Sequence, residues 1–190
     1  MIEEGKKRRK WPFILGIALI LLMILMMFFY FATASPSKPR AGTEIQNPIQ
    51  GLTNEEAILQ FSEEYINYLV FAIGGWKLHN PPLSDDTPKI KVIVDEEIYF
   101  SEIVNGEIKT ERKEIEDEDI IIRATKQEIV NAIKSLDMEN YIKQSVEDGK
   151  TSLELRASYT TLFSKGYLNL YKDVTGKSFT GSVVRIFVQG

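Results

Sequence analysis

The feature that most constrains this chain lies at its N-terminus, where a basic cluster leads into a long apolar segment. Residues 6–10 are all lysine or arginine, and residues 11–31 carry no charged side chain. At about 1.5 Å per residue, a helix over that segment is roughly 31 Å long, the thickness of a bilayer's hydrocarbon core. The sequence therefore predicts a basic tail at residues 1–10 and a transmembrane helix at residues 11–34.

The charges that flank the apolar segment predict its orientation. Basic residues are concentrated before the segment, and only Lys38 and Arg40 follow it closely. By the positive-inside rule the N-terminus lies in the cytoplasm, and the rest of the chain lies outside the cell membrane. A cleaved secretory signal is the alternative, because Ala32-Thr33-Ala34 fits a cleavage site. The apolar segment is longer than the usual signal core of about 7–15 residues, so we favour a retained single-pass anchor.

The remainder of the chain is predicted to be a linker and one acidic domain. Proline and glycine punctuate residues 35–51, which is typical of a flexible linker, and residues 52–190 form the soluble domain. Residues 41–190 hold 16 basic and 25 acidic side chains, a balance that argues against a nucleic-acid partner. The absence of cysteine and the single histidine exclude disulfides, thiol catalysis and histidine metal clusters.

Short-range signals place helices in the domain. Thr53 and Glu56 match a capping box at the start of a helix over residues 53–73, which Gly74-Gly75 ends. Thr125 and Glu128 repeat that capping pattern. Further helices are predicted from Thr125 through Ile133 and at residues 138–147 and 159–172, the last one interrupted by a glycine.

Alternation and turn signals place the strands. Asn105-Gly106 is typical of a two-residue hairpin turn. The hairpin register predicts Ile103 opposite Ile108, and Glu102 opposite Lys109. Strands are predicted at residues 89–94, 98–104, 120–122, 150–156 and 183–188. Because strands and helices do not alternate strictly, the fold class is α+β, with a mainly antiparallel sheet covered by helices.

Few residues in the domain suggest catalysis. His79 with Asp85 or Asp86 could act as a general base, but a solvent-facing loop histidine is the favoured interpretation. The acidic run at residues 116–119 could bind a hard cation, yet it lacks the spacing of a calcium loop and reads as a solvated turn. The sequence therefore predicts a protein that is not an enzyme, without cofactor or metal.

Aromatic residues are more suggestive, because they gather on the first and last helices of the domain. Phe61 and Tyr65 belong to the first helix, and Phe163 and Tyr167 to the last. Two aromatic helices above one sheet can line an apolar ligand pocket. An ordinary filled core is the alternative, and the spacing of these residues by itself favours that alternative.

Residues 89–171 resemble the sterol-carrier-protein domain family. The similarity lies in the order of segments with the sequences DIIIRATKQEIVNAI at residues 119–133, EDGKTSLEL at 147–155 and LFSKGYLNLY at 162–171. The strand at 152–155 lacks a glycine that often follows in the family, and the segment after Tyr171 is extra. The resemblance implies a tunnel that binds lipids or other apolar molecules, without catalytic residues. Its expected walls are Phe61, Tyr65, Ile121, Ile133, Phe163 and Tyr167.

Two functions follow from these observations. The first is a membrane-anchored, non-catalytic domain that binds a lipid or another apolar ligand at the bilayer surface. The second is an assembly subunit whose C-terminal strand pairs with a membrane-protein partner or with a second copy of the chain. The residues predicted to make that partner contact are Val184, Ile186, Phe187 and Val188.

Overall fold

The structure is a computed structural model that describes residues 11–33 and 45–178, with side chains of the first helix described over residues 15–27. The chain divides into two compact units, Met1–Ser35 and Pro36–Gly190. The predicted C-terminal strand at residues 183–188, the basic tail and most of the linker lie outside the described residues. The described end of the predicted linker belongs to the domain, because Ile49 is buried in its core.

The first unit contains one helix, α1 (Trp11–Thr33). Every large apolar side chain described on α1 is at least half exposed. Among the residues that the structure describes, none belongs to a helix with the length and apolar character needed to cross a bilayer.

Six α-helices are described in the second unit. They are α2 (Asn54–Leu59), α3 (Glu63–Ala72), α4 (Lys126–Lys134), α5 (Met138–Glu147), α6 (Tyr159–Ser164) and α7 (Tyr167–Thr175), and a short 3₁₀ helix (Gly75–Lys77) follows α3. The prediction of one helix over residues 53–73 is wrong, because Ser62 has an extended backbone and separates α2 from α3. The ring of Phe61 at this break lies 5.1 Å from Tyr65 and 6.0 Å from Tyr99, which are tertiary contacts that helical spacing does not reveal.

The last helix of the sequence prediction is also divided. Gly166 has φ = 88° and separates α6 from α7. This left-handed conformation is readily available to glycine, and it redirects the chain between the two helices. The predicted interruption at Gly166 is therefore a full break, whereas the predicted bounds of α5 match the structure.

Five strands form one mixed sheet. They are β1 (Lys89–Val94), β2 (Glu97–Val104), β3 (Glu107–Glu111), β4 (Ile120–Ala124) and β5 (Ser152–Leu155), in the order β3-β2-β1-β4-β5. Three of the four strand pairings are antiparallel, and β1 pairs with β4 in parallel. The α+β class is confirmed, and the sheet is mixed.

The predicted hairpin between β2 and β3 is confirmed in its register. Ile103 pairs with Ile108, and Glu102 pairs with Lys109. Asn105 and Gly106 both have positive φ, as a two-residue hairpin turn requires.

The core lies between the helices and one face of the sheet. The strand residues in it alternate along each strand, as Ile90, Val92 and Val94 do on β1. Lys91 points to the opposite face, where its Nζ lies 3.2 Å from Glu118. Lys89, on the same face, pairs with Asp117. These ion pairs hold the connection from β3 to β4 against the face of the sheet opposite the core.

Candidate ligand-binding cavity

A small cavity lies in the domain core, where α4 and α5 face the sheet. Its volume is about 30 Å³. Its walls come from α3, β4, α4, α5, β5, α7 and the turn before β5. The lining residues are Leu69, Ile73, Ile122, Ala124, Glu128, Ile129, Ala132, Tyr141, Ile142, Ser145, Thr151, Leu153 and Val174.

Helical and strand periodicity explain why these side chains converge. Glu128, Ile129 and Ala132 stand on one face of α4, and Ile142 and Ser145 on one face of α5. Residues three and four apart share a helix face, so each helix presents a stripe to the same space. The resulting wall is almost wholly apolar, which suits a ligand with hydrocarbon surface.

Four of the lining residues are polar, and they differ in how they are partnered. The hydroxyls of Ser145 and Thr151 lie 2.7 Å apart and hydrogen-bond each other. Burial raises the pKa of Tyr141, and a hydrogen bond to Glu128 adds to the increase while one to Asn131 opposes it. The Oε1 atom of Glu128 is buried and has no hydrogen-bond partner among the described residues.

The volume of the cavity limits which molecules it can hold in this conformation. A cavity of roughly 10–15 Å³ is enough for one water molecule, so this space accommodates only a few waters. The cavity is therefore much smaller than the space that a lipid needs. An apolar ligand would enter by displacing wall side chains or the helices that carry them.

The six residues predicted to bind a ligand do not share one site. Tyr65, Ile133 and Tyr167 are buried on the helix side of the sheet, and Phe61 is partly buried beside them. Ile121 is buried on the opposite face of the sheet, and Phe163 is 65% exposed. None of the six lines the cavity. Their role as ligand contacts stays a prediction.

Two of the cavity residues that the sequence did not predict are direct neighbours in the chain of residues that it did predict. Ile122 follows Ile121 on β4, and Ala132 precedes Ile133 on α4. Alternation along β4 separates core residues from outward ones only after its pairing to β1 is known. The aromatic residues predicted a ligand site that includes Phe163 on α6, whereas aliphatic residues of α4 and α5 build much of the cavity wall.

A buried polar cluster lies apart from the cavity, at the start of β1 and β4. Lys165 Nζ lies 3.0 Å from both carboxylate oxygens of Asp119 and 2.9 Å from the carbonyl of Thr87. The hydroxyl of Tyr167 donates to Asp119 Oδ2 at 3.0 Å. Burial, followed by the charge of Asp119, raises the pKa of Tyr167. Because these groups bind one another, the cluster locks α6 and α7 to the sheet and offers no group for a ligand.

The alternative catalytic and metal sites are not assembled. His79 Nδ1 contacts the carbonyl of its neighbour Asn80 at 3.0 Å, and Asp86 Oδ2 lies 2.9 Å from Lys165 Nζ. In the acidic run, Asp117 and Glu118 each face a lysine of β1, and Asp119 binds Lys165. Within residues 11–33 and 45–178, no group of three or more acidic, histidine or cysteine residues could hold a metal ion.

Comparisons with known proteins identify no family for the chain. No family model matches it, and a search of curated proteins finds no match either. Among solved structures, a double mutant of the sec-alkyl sulfatase PisA1 is similar with a TM-score of 0.35 and 11% identity, covering 66% of this chain and 18% of that one. The sec-alkylsulfatase Pisa1 from Pseudomonas sp. has a TM-score of 0.28 and 12% identity, covering 50% of this chain and 13% of that one.

A third similar structure is the UbiJ-SCP2 ubiquinone synthesis protein. Its TM-score is 0.33 at 11% identity, and the match covers 55% of this chain and 88% of that one. Its name agrees with the family that the sequence resembles. Because all three TM-scores lie below 0.5, none of these similarities assigns a function to the chain.

Proposed function

We propose that this chain is a membrane-anchored, non-catalytic domain that binds a lipid or another apolar ligand. In this proposal the transmembrane helix that the sequence predicts at residues 11–34 crosses the cell membrane once, with the N-terminus in the cytoplasm and the domain outside. The ligand enters the domain core between α4, α5 and the sheet.

The observation that carries the proposal is the cavity itself. Nine of its thirteen lining residues are aliphatic, and its polar groups are few and grouped on α4, α5 and the turn before β5. Ligand sites commonly combine an apolar wall with a small number of polar groups that orient the ligand. The volume of about 30 Å³ means that binding requires the walls to part.

The anchor is supported by the sequence and by the exposure of α1. The large apolar side chains over residues 15–27 are exposed by 50% to 69%. An exposed apolar surface of this extent is unfavourable in water and favourable in a bilayer. The acidic domain would be repelled by anionic lipid, while the basic tail would be attracted to it.

Native mass spectrometry of the full-length chain after gentle detergent extraction tests ligand binding. We expect an apolar molecule to remain bound to the wild-type chain. Ala132→Leu and Ala124→Leu extend side chains into the cavity, and each should reduce the retained fraction about tenfold.

Gln144→Leu is the control, because Gln144 is exposed on α5 and does not line the cavity. It should retain the ligand as the wild type does, and thermal unfolding of each variant checks that the domain remains folded. A wild-type chain without any bound apolar molecule, or equal retention in all variants, contradicts the proposal.

A second candidate function is assembly through the C-terminal segment. The observation that favours it is the sheet order, which leaves β3 and β5 as edge strands within the described part of the domain. An edge strand presents unpaired backbone groups that can pair with another chain. Residues 184 and 186–188 lie outside the described residues, so their partner contacts stay a prediction.

Deletion of residues 182–190 separates these functions. If the segment recruits a partner, the truncated domain should keep its unfolding temperature while size-exclusion chromatography with light scattering shows a smaller complex. A truncated chain that unfolds instead would mean that the segment belongs to the domain's own sheet, and assembly through it would be rejected.

A further inference from the structure

The cavity contains one buried acceptor atom that makes no hydrogen bond within the described residues, Glu128 Oε1. The hydroxyl of Tyr141 interacts with the same carboxylate, and the hydroxyls of Ser145 and Thr151, which also line the cavity, bind each other at 2.7 Å. A buried acceptor without a donor is unfavourable, so Oε1 favours an occupant that can donate to it.

The N-terminal caps of α2 and α4 differ in the role of their glutamate side chains. At α2, Thr53 and Glu56 close a reciprocal capping box: Glu56 N donates to Thr53 Oγ1 at 3.2 Å, and Thr53 N donates to Glu56 Oε2 at 2.8 Å. At α4 the first bond is present, with Glu128 N donating to Thr125 Oγ1 at 3.1 Å. The second bond of a capping box, from the backbone N–H of Thr125 to the Glu128 carboxylate, is absent among the described residues. The Glu128 side chain lines the cavity instead.

The charge of the lining limits the ligand further. None of the thirteen described lining residues is lysine, arginine or histidine, although Lys150, outside the lining, is close enough to interact electrostatically with Glu128. A carboxylate or phosphate placed beside Glu128 would lose water without gaining a cationic partner in the lining, and the like charge of Glu128 would repel it. A hydroxyl or an amine would instead donate to Oε1.

We infer that the cavity takes an apolar molecule whose polar end donates a hydrogen bond to Glu128, such as a long-chain alcohol or amine. Anionic lipids such as fatty acids are disfavoured. The inference rests on the proposed function, because it names the ligand class of the same cavity. Hydrocarbon contacts with Ile122, Ile129 and Ile142 hold the apolar part, and Glu128 discriminates between polar ends.

Methyl NMR of the full-length chain in nanodiscs tests the inference with three probes of equal chain length. The probes are hexadecanol, hexadecylamine and hexadecanoate. The isoleucine methyls of Ile122, Ile129 and Ile142 report on the cavity, and that of Ile121, on the other face of the sheet, is the internal control. We expect the alcohol and the amine to saturate the cavity signals at concentrations about tenfold lower than hexadecanoate.

Two substitutions at Glu128 locate the discrimination. Glu128→Leu should bring the ratio between alcohol and acid affinity to about one, because it removes both the acceptor and the charge. Glu128→Gln retains an acceptor oxygen and should keep alcohol affinity within about threefold of the wild type. Glu147→Leu, at the exposed end of α5, is the matched control and should keep the wild-type ratio.

Equal affinity for the alcohol and the acid in the wild type would overturn the inference, as would a ratio unchanged in Glu128→Leu. Those results would leave the proposed function standing, because apolar probes would still bind. If none of the three probes shifts the cavity methyl signals, the proposed function itself fails. Thermal unfolding of each variant confirms that the domain is folded.

Discussion

Lys165 and Asp119 form an ion pair that water scarcely reaches, since their side chains are 2% and 5% exposed. The carboxylate of Asp119 also accepts hydrogen bonds from Tyr167 and from the backbone N–H of Lys89. Desolvation of both charges is unfavourable, and the attraction between them with these hydrogen bonds offsets it. Removing one partner leaves the other charge buried and uncompensated.

Lys165→Met should therefore reduce the free energy of unfolding by about 3–5 kcal/mol, as expected for loss of one partner in a buried pair. Lys77→Met is the control, because the pair of Lys77 with Asp173 is about half exposed. Its loss should cost less than about 1 kcal/mol. Urea denaturation measures both values, and equal effects would show that burial does not govern the first pair.

The raised pKa of Tyr167 predicts that the folded domain loses stability in alkaline solution. Because burial and Asp119 raise its pKa, the folded chain keeps this proton above the pH at which the unfolded chain releases it. The unfolded state then binds fewer protons, so stability falls as pH rises beyond about 10, by up to about 1.4 kcal/mol per pH unit. Below that pH both states are protonated, and Tyr167 contributes no pH dependence.

Urea denaturation at several alkaline pH values should give a shallower slope of stability against pH for Tyr167→Phe than for the wild type. Tyr159→Phe removes a hydroxyl from a ring that is 56% exposed, and it should keep the wild-type slope. An unchanged slope in Tyr167→Phe would exclude Tyr167 as the source.

At the scale of elements, two glycines at helix boundaries are required for different reasons. Gly166 has φ = 88° and opens α7, and a Cβ there would meet no atom closer than 3.8 Å. Gly75 follows α3 without a positive φ, but a Cβ there would lie 2.6 Å from the carbonyl oxygen of Val70. The first position requires backbone freedom, and the second requires the absence of a side chain.

Alanine substitutions should separate these two requirements. Gly166→Ala should destabilise the domain by about 1–2 kcal/mol through the left-handed conformation alone. Gly75→Ala should cost about 1–3 kcal/mol or more, because the backbone of α3 must move. Gly166→Asn should be milder than Gly166→Ala, whereas Gly75→Asn should be worse than Gly75→Ala; chemical denaturation of the four variants checks this order.

At the scale of the whole molecule, charge is unequally distributed between the two units. Residues 1–10 hold five basic and two acidic side chains, whereas residues 41–190 hold 16 basic and 25 acidic ones. In the proposed topology the basic tail stays on the cytoplasmic side, as the positive-inside rule requires.

Protease treatment of intact cells that express the chain tests this topology. We expect the domain to be digested from outside, while an epitope at the N-terminus is protected. Replacing residues 6–10 with glutamine removes the charge bias, so part of the population should reverse its orientation. Protection of the domain in intact cells, with digestion only after lysis, would contradict the topology.

Sequence patterns predicted most elements but not how they assemble. The register of the β2–β3 hairpin and the bounds of α5 follow from adjacent residues, and both agree with the structure. The helix break at Ser62 does not follow from adjacent residues. Phe61, beside the break, contacts Tyr65 on α3 and Tyr99 on β2, and the second contact joins segments that are distant in sequence. The cavity depends on seven segments of the chain at once, which no local pattern encodes.

The sequence by itself determined the α+β composition, the hairpin and most helix ends, because caps, turns and side-chain periodicity act over a few residues. It did not determine the parallel pairing of β1 with β4, which requires a connection across the face of the sheet. Only the tertiary structure decided that Ile122 faces the cavity while Ile121 faces away, and that Glu128 lines the cavity without completing a capping box. The physical reason is that burial depends on which elements meet, and this is a property of the packed chain.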